Sequence, residues 1–342
     1  MPRSVKKFLL FFSGSFIILS LAIWAILELY HDDIRLKAEQ IIDKQVDALV
    51  TFNDLSLTFL RDFPNLTITL HDLTVKGKGE FANDTLALIG EFDMEIKTSS
   101  LLYGKETELK SIHLHRPELL LKVLKNGKAN YNIFLSDSLK AKPVADSSVL
   151  NLTLDEVKIS DGEIEYRDQL MKTFVLMKGV DHRGSGDFQK ELFDFATATT
   201  VKDFTLDYGG VTFFSHKELA IDLVMEMNVR EHTVTLKENR IRINHFIVGI
   251  EGSFGMAEDG YDVDLSFNTI ETDFKTIISL VPGIFMEDFK QITTKGQLTL
   301  KGFVSGHYSP NARKLPSFLA DFKVADAKIG RASCRERVSY SV

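Results

Sequence analysis

Cysteine and tryptophan are almost absent from this 342-residue sequence, which has one of each, and proline occurs only seven times. Because Cys334 stands alone, the chain can form neither an internal disulfide bond nor a metal site built from several cysteines. Long runs of like charge are missing too, and the net charge is -7. The basic face of a general nucleic-acid binder is therefore not indicated, and we expect no nucleic-acid partner.

The sequence also lacks the short motifs of common enzymes. It has no phosphate-binding loop of the G-x-x-x-x-G-K-[ST] type, no G-x-S-x-G elbow and no H-E-x-x-H helix. A group of carboxylates alternates with apolar residues, a pattern typical of the solvated face of a sheet; it comprises Asp155, Glu156, Asp161, Glu163 and Glu165. We predict that the protein is not an enzyme, has no catalytic residues and uses no cofactor.

His113 and His115 are the one pair with metal-binding chemistry. Two positions apart on a strand, they point to the same face, and a third ligand would complete a metal site. An isolated H-x-H is unspecific, so the preferred interpretation is a polar sheet face, and we predict no metal site.

A long apolar segment lies near the N-terminus. From Phe8 to Leu27 the chain has twenty residues without a charge, which as a helix would span about 30 Å, the thickness of a bilayer core. Basic residues precede this segment and acidic residues follow it, so the positive-inside rule predicts a cytoplasmic N-terminus and an exported body. A cleaved signal peptide is the alternative, but its apolar region is usually only about 7–15 residues long.

The pattern of apolar residues changes after the apolar segment. Residues 34–50 have helical spacing and predict a short amphipathic helix. Beyond residue 50 the period is two, as in Leu66–Leu70, Leu219–Val229 and Tyr261–Phe267. Turn signals such as Ser160-Asp161-Gly162 and Tyr208-Gly209-Gly210 separate these runs. Many short strands of this kind predict a mainly β protein with an antiparallel sheet.

Several phrases, taken in order, resemble the N-terminal region of the AsmA family in its Bacteroidetes-type form. They are RDFPNL at 61–66, SSLLYGKE at 99–106, RPELLL at 116–121 and NGKANY at 126–131. LDEVKISDG at 154–162 and FKQITTKG at 289–296 resemble later phrases of that family. The likeness spans roughly residues 5 to 329.

The resemblance implies more than the periodicity does. AsmA-like proteins are similar to bridge-like lipid-transfer proteins, which have a chorein-like start and a long curled β-sheet with an apolar groove. They are associated with outer-membrane biogenesis and phospholipid traffic, and the family has no catalytic residues. The resemblance thus predicts a single-pass inner-membrane protein of the cell envelope with its body in the periplasm, whose partners are membrane phospholipids and the inner membrane.

Two interpretations of the alternating strands compete. The residues alone favour a β-sandwich, because a second sheet is the common way to cover an apolar face; the resemblance favours an open groove covered by acyl chains. The candidate groove residues are Leu219, Ile221, Leu223, Met225, Met227, Val229, Tyr261, Val263, Leu265 and Phe267.

The predicted organisation has five parts. Residues 1–30 form the cytoplasmic tip and transmembrane anchor, 31–135 the chorein-like module, 136–148 a polar linker and 149–328 a second, truncated β-groove module. Residues 329–342 break the strand pattern and look like translated adapter sequence, so we expect an artefactual tail.

The predicted function is passive phospholipid transport. The alternative is an envelope scaffold or assembly factor that binds an outer-membrane protein partner through its sheet.

Overall fold

The structure is a computed structural model. It describes residues 35–331, except for 37–38, 41, 43, 60, 104–107, 134–153, 189, 258, 270–271, 274–275, 277–279, 281–291 and 310–314. Among the described residues, no helix is both long and apolar enough to cross a membrane. The predicted anchor at 8–27 and most of the predicted tail lie outside them.

The predicted amphipathic helix is shorter than expected. Described residues between 35 and 45 are helical, and Arg35 pairs with Glu39 one turn later at 3.2 Å. Leu49–Thr51 is instead the first strand, in which Val50 is the partner of Val75. Pairing at the edge of the sheet thus overrides the helical spacing of the last residues in the predicted helix.

The rest of the described chain is mostly β-structure, which confirms the mainly β prediction. One short helix, α1 (Thr98–Tyr103), and a 3-10 turn at Gly79–Phe81 interrupt the strands. The strands are β1 (Leu49–Thr51), β2 (Asp54–Thr58), β3 (Leu66–Lys76), β4 (Thr85–Ile96), β5 (Leu109–Val123), β6 (Glu156–Asp168), β7 (Thr173–Gly186), β8 (Leu192–Tyr208), β9 (Val211–Asn228), β10 (Thr233–Ile243), β11 (Phe246–Ala257), β12 (Gly260–Thr269), β13 (Thr272–Asp273), β14 (Ile292–Tyr308) and β15 (Ser317–Arg331).

All 15 strands belong to one long, curved sheet. Its order follows the chain from β3 to β12 and continues through β14 to β15, while β1 and β2 both pair with β3 and the short β13 pairs with β14. The β-sandwich that the residues alone favour is therefore wrong for the described part of the chain. At about 4.8 Å per strand, the sheet extends about 60 Å perpendicular to its strands.

The prediction of an antiparallel sheet is correct except at one place. β5 and β6 run parallel, with Ile112 opposite Val157 and Leu119 opposite Ile164. Parallel neighbours need a long crossover connection, and the polar segment predicted as a linker lies in that connection. It falls outside the described residues, but the strands on either side of it are direct neighbours in one sheet.

A row of irregular positions crosses the sheet from β3 to β9. Asp72, Arg116, Asp161, Gly179 and His216 all have left-handed backbone, with φ between 49 and 60°. The registers on either side place the irregularities of neighbouring strands next to one another. Bulges bend a strand and increase its twist, so this row contributes to the curvature. The turn predicted at 160–162 is wrong, because those residues form a bulge inside β6.

Two clusters form the core, and both lie on the same side of the sheet. The first contains Leu55, Leu70 and Leu73, near the β1/β2 edge. The second contains Val180, Val201 and Leu219, near the middle. Each cluster consists of neighbours across the strands, so it stabilises the sheet without a second layer.

Gly179 offers a test of the bulge row. Its φ is +60° and the side chain of Lys202 lies against it. A valine there adopts left-handed backbone at a cost of roughly 1–2 kcal/mol or more, whereas asparagine tolerates this conformation. We expect Gly179→Val to lower the urea-unfolding midpoint of the full chain more than Gly179→Asn does. The two variants are matched, because the added side chains have similar bulk and both meet Lys202, whose Cδ would lie 2.5 Å from the new Cβ. Equal midpoints for the two variants would contradict the assignment of strain to the backbone.

Candidate functional site

One side of the sheet is apolar over almost its whole width. Strand registers join Leu70 to Phe92, Phe92 to Leu114 and Leu114 to Ile159. Further along, Ile221 is opposite Ile241, which is opposite Val248. We call the side that carries these residues the apolar face and the opposite side the polar face.

Nine of the ten predicted groove residues lie on the apolar face. Five are alternate residues of β9, from Leu219 to Met227, and four are alternate residues of β12, from Tyr261 to Phe267. Through β10 and β11, the registers connect Met227 with Val263 and Met225 with Leu265. Val229 follows the end of β9, and its side chain is 54% exposed.

Sequence reasoning missed the residues that join these two groups. In β11, Val248, Ile250, Phe254 and Met256 are on the apolar face, and they pair with alternate residues of β12. Glycines at 249, 252 and 255 obscure the alternation in this strand. If Gly252 is counted with the apolar residues, the alternation along this segment has a period of two and predicts β11.

No described strand covers the apolar face. Extensive contacts between described elements occur only between neighbours in the sheet. Several large side chains of this face are therefore open to solvent in its later half: Phe254 is 38% exposed, Tyr261 44%, Met256 66% and Phe318 67%. In the first core cluster, by contrast, Leu55 and Leu70 are only 1% and 3% exposed. The uncovered part of the face thus lies between about β9 and β15.

Polar residues interrupt the apolar face at β7 and β8. His182 Nδ1 lies 2.8 Å from Thr199 Oγ1, directly across the strand pair. Burial lowers the pKa of His182, which favours the neutral imidazole. The face therefore carries a hydrogen-bonded pair here but no fixed charge.

The polar face is covered with ion pairs. The predicted acidic group lies on β6 or just before it, and four of its members face cations: Glu156 is 2.5 Å from both Lys158 and Arg183, Asp161 is 3.2 Å from Lys202, Glu163 is 3.2 Å from Lys178, and Glu165 pairs with Arg167. Such pairs on an accessible surface each contribute little to stability. Their arrangement is that of a solvated sheet face.

His113 and His115 lie on the polar face beside Asp93. Asp93 is opposite His113 in the β4–β5 register, and the ligand atoms of all three residues lie within 4.8 Å of one another. His115 Nε2 is 3.3 Å and Arg61 Nη2 is 2.9 Å from Asp93 Oδ2. The sequence showed the H-x-H pair but not its third member, because only the register places Asp93 beside it.

The charges of this cluster have defined preferences. Burial by itself would raise the pKa of Asp93, but hydrogen bonds from Thr69 and Arg61, with the charge of Arg61, more than offset it, so the pKa is lowered. Burial and the adjacent His115 lower the pKa of His113. An ionised carboxylate thus faces a neutral imidazole.

The described surface therefore defines a class of protein: a single curved sheet of many strands with one charged face and one apolar face that is uncovered in its later half. The model of the AsmA family matches residues 1–199, so the chain belongs to the AsmA family, as its sequence phrases predicted. Searches among curated proteins and among solved structures find no match.

Tyr166, near the end of β6, gives a prediction for alkaline pH. Its hydroxyl donates to Asp168 Oδ2 at 3.0 Å. Burial, followed by this hydrogen bond and the negative charge of Asp168, raises the pKa of Tyr166 from 10.0 to about 12. The protonated phenol therefore stabilises the fold fully below pH 10.0, and this contribution is lost as the pH rises through about 12.

We expect Tyr166→Phe to lose less stability than wild type between these two pH values, because it has no phenol to ionise. At neutral pH the variant should be less stable by about 0.5–1.5 kcal/mol, the usual contribution of one hydrogen bond. Urea unfolding across the pH range measures both effects. Tyr208→Phe, at an exposed hairpin end, is the control, and the same alkaline loss in all three proteins would contradict the prediction.

Proposed function

We propose that this protein conducts phospholipids passively along the apolar face of its sheet, as an inner-membrane-anchored periplasmic protein of outer-membrane biogenesis. The uncovered apolar face is the observation that carries the proposal. Membership of the AsmA family is consistent with outer-membrane biogenesis or lipid transport. The apolar segment at 8–27 supplies the proposed anchor, and the charges on either side of it give the proposed orientation, with the body outside the cytoplasm.

The energetic need for such a face is large. Each methylene group costs about 0.8 kcal/mol on entering water, so a 16-carbon chain costs on the order of 12 kcal/mol. Side chains such as Met225, Leu265 and Phe254 present apolar surface to which an acyl chain can bind instead. A path of this kind lowers the barrier to leaving a membrane without a nucleophile, a cofactor or any bond being broken, so we propose a non-enzymatic role.

The two faces of the sheet suit the contacts that lipid transport requires. Acyl chains lie along the apolar face, while the ion-paired polar face stays hydrated and keeps the protein in solution. The apolar face extends from β2 to β15, about 60 Å at 4.8 Å per strand, and its uncovered part from β9 to β15 accounts for about 24 Å of this. Lipid movement along it runs perpendicular to the strands, so each strand of the uncovered part contributes a few side chains to the path.

Site-specific photo-crosslinking tests the proposal. A photoreactive residue at Leu265 should form phospholipid adducts in cells that produce the full chain, whereas one at Ser266, the next residue on the same strand but on the polar face, should not. Mass spectrometry of the purified protein detects the adducts. Adducts at neither position, or equally at both, would contradict lipid binding on the apolar face.

A charge on the apolar face should block the path. Burying a carboxylate against acyl chains costs at least about 1.4 kcal/mol, which corresponds to a tenfold loss of occupancy. We expect Leu265→Asp to reduce lipid adducts at a reporter placed at Phe254 by at least that factor and Ser266→Asp to leave them unchanged. Equal adduct yields in the two variants would argue against a shared lipid path.

The alternative role as an envelope scaffold rests on β15. Among the described strands, β15 pairs only with β14, and an open edge can accept a strand from a partner. The same crosslinking experiment separates the two roles. A scaffold gives protein adducts from the edge, for example at Asp321, and no lipid adducts at Leu265.

A further inference from the structure

The polar face holds three side chains with the donor chemistry of a transition-metal site, and lipid transport uses none of them. His113 and His115 come from β5 and Asp93 from the neighbouring β4. Among the described residues, this is the one group of three such side chains whose ligand atoms lie within 4.8 Å of one another. Two imidazoles and a carboxylate are a set that Zn²⁺ and Co²⁺ accept readily.

The spacing of these groups is close to that of a coordinated set. With metal–ligand bonds of about 2.0–2.2 Å, two ligands at a tetrahedral angle are about 3.4 Å apart. His115 Nε2 and Asp93 Oδ2 are already 3.3 Å apart. The ring of His113 lies against that of His115, with 3.6 Å between their centroids, and its ligand nitrogen is within 4.8 Å of the other two ligand atoms.

Neighbouring hydroxyl groups orient the proposed ligands. Thr69 Oγ1 donates to Asp93 Oδ1 at 2.5 Å, which leaves Oδ2 facing the histidines. Ser160 Oγ lies 2.7 Å from His113 Nε2, on the strand parallel to β5. Partners of this kind fix the orientation of a ligand and raise metal affinity. Thr69, Asp93, His113 and Ser160 lie on the adjacent strands β3, β4, β5 and β6, so the backbone hydrogen bonds between these strands hold them in place.

Arg61 holds the position that a metal ion would compete for. Its guanidinium pairs with Asp93 Oδ2 at 2.9 Å but also with Asp62 at 3.0 Å, and its side chain is 53% exposed. It can therefore leave Asp93 and keep Asp62 as a partner. A metal ion that replaces it would restore positive charge beside the buried carboxylate, whose side chain is only 8% exposed.

We propose that Asp93, His113 and His115 form a binding site for a divalent transition-metal ion of the Zn²⁺ type, with Arg61 as the competing cation. The bound ion joins β4 to β5 on the polar face. The site lies on the side of the sheet opposite to the lipid path, so the proposal stands whether or not the protein carries lipid.

Zn²⁺ titration of the purified full chain against a chromophoric chelator tests the site. We expect one equivalent to bind and His113→Gln, His115→Gln and their double variant each to weaken binding by at least about tenfold. His245→Gln, which removes an exposed histidine at the β10–β11 turn, is the matched control and should bind as wild type does. Visible absorption of the Co²⁺ complex should change in the His113 and His115 variants alone.

Arg61→Gln gives the sharpest result, because its effect on Zn²⁺ affinity differs between an Asp93 that binds metal and an Asp93 with only a structural role. Removal of the competing cation should tighten Zn²⁺ binding, whereas unchanged or weaker binding would show that Asp93 is not a ligand and would overturn the three-residue site. Equal affinity in wild type and the double histidine variant would also overturn it, as would an equal loss in His245→Gln. Far-UV circular dichroism checks that every variant retains its β-structure.

Discussion

The structure depends on a sheet whose strands bury one apolar face only in part. In most β proteins a second layer covers such a face and supplies much of the stability. Here the described strands instead rely on backbone pairing between neighbours, on two local clusters around Leu70 and Val201, and on a polar face tied by side-chain hydrogen bonds. The uncovered apolar surface is therefore a feature that stability alone does not explain, and the proposed lipid binding rests on it.

Curvature and the polar face are linked through the row of bulges. Polar side chains at or beside these positions contact one another: Lys202 reaches Asp161 at 3.2 Å, and His216 reaches Asp203 at 2.8 Å. Each bulge sets the local bend, and such contacts hold the bent strands in register. The bulges that shape the apolar face are thus held by side chains of the opposite face, where polar groups are hydrated at little cost.

How much of the fold and of the candidate sites could be predicted depends on how far apart in the sequence the interacting residues are. Alternation along β9 and β12 identified nine apolar-face residues, because period two is a local property. Ser160-Asp161-Gly162 was predicted as a turn because the same residue types favour both a turn and a bulge with left-handed backbone. The parallel pairing of β5 with β6, and the approach of Asp93 to His113, depend on register between distant segments, which no local pattern contains.

The apolar face remains continuous past its polar interruption. At β7 and β8, His182 and Thr199 occupy one cross-strand row, but the adjoining row contains Val180 and Val201 and leads to Leu219 on β9. Because the histidine and the threonine satisfy each other by a hydrogen bond, they place no charge in the way of the proposed lipid path. Val180 and Val201 are each only 2% exposed, so little apolar surface is open to an acyl chain at β7 and β8, and these two strands form a constriction of the proposed path.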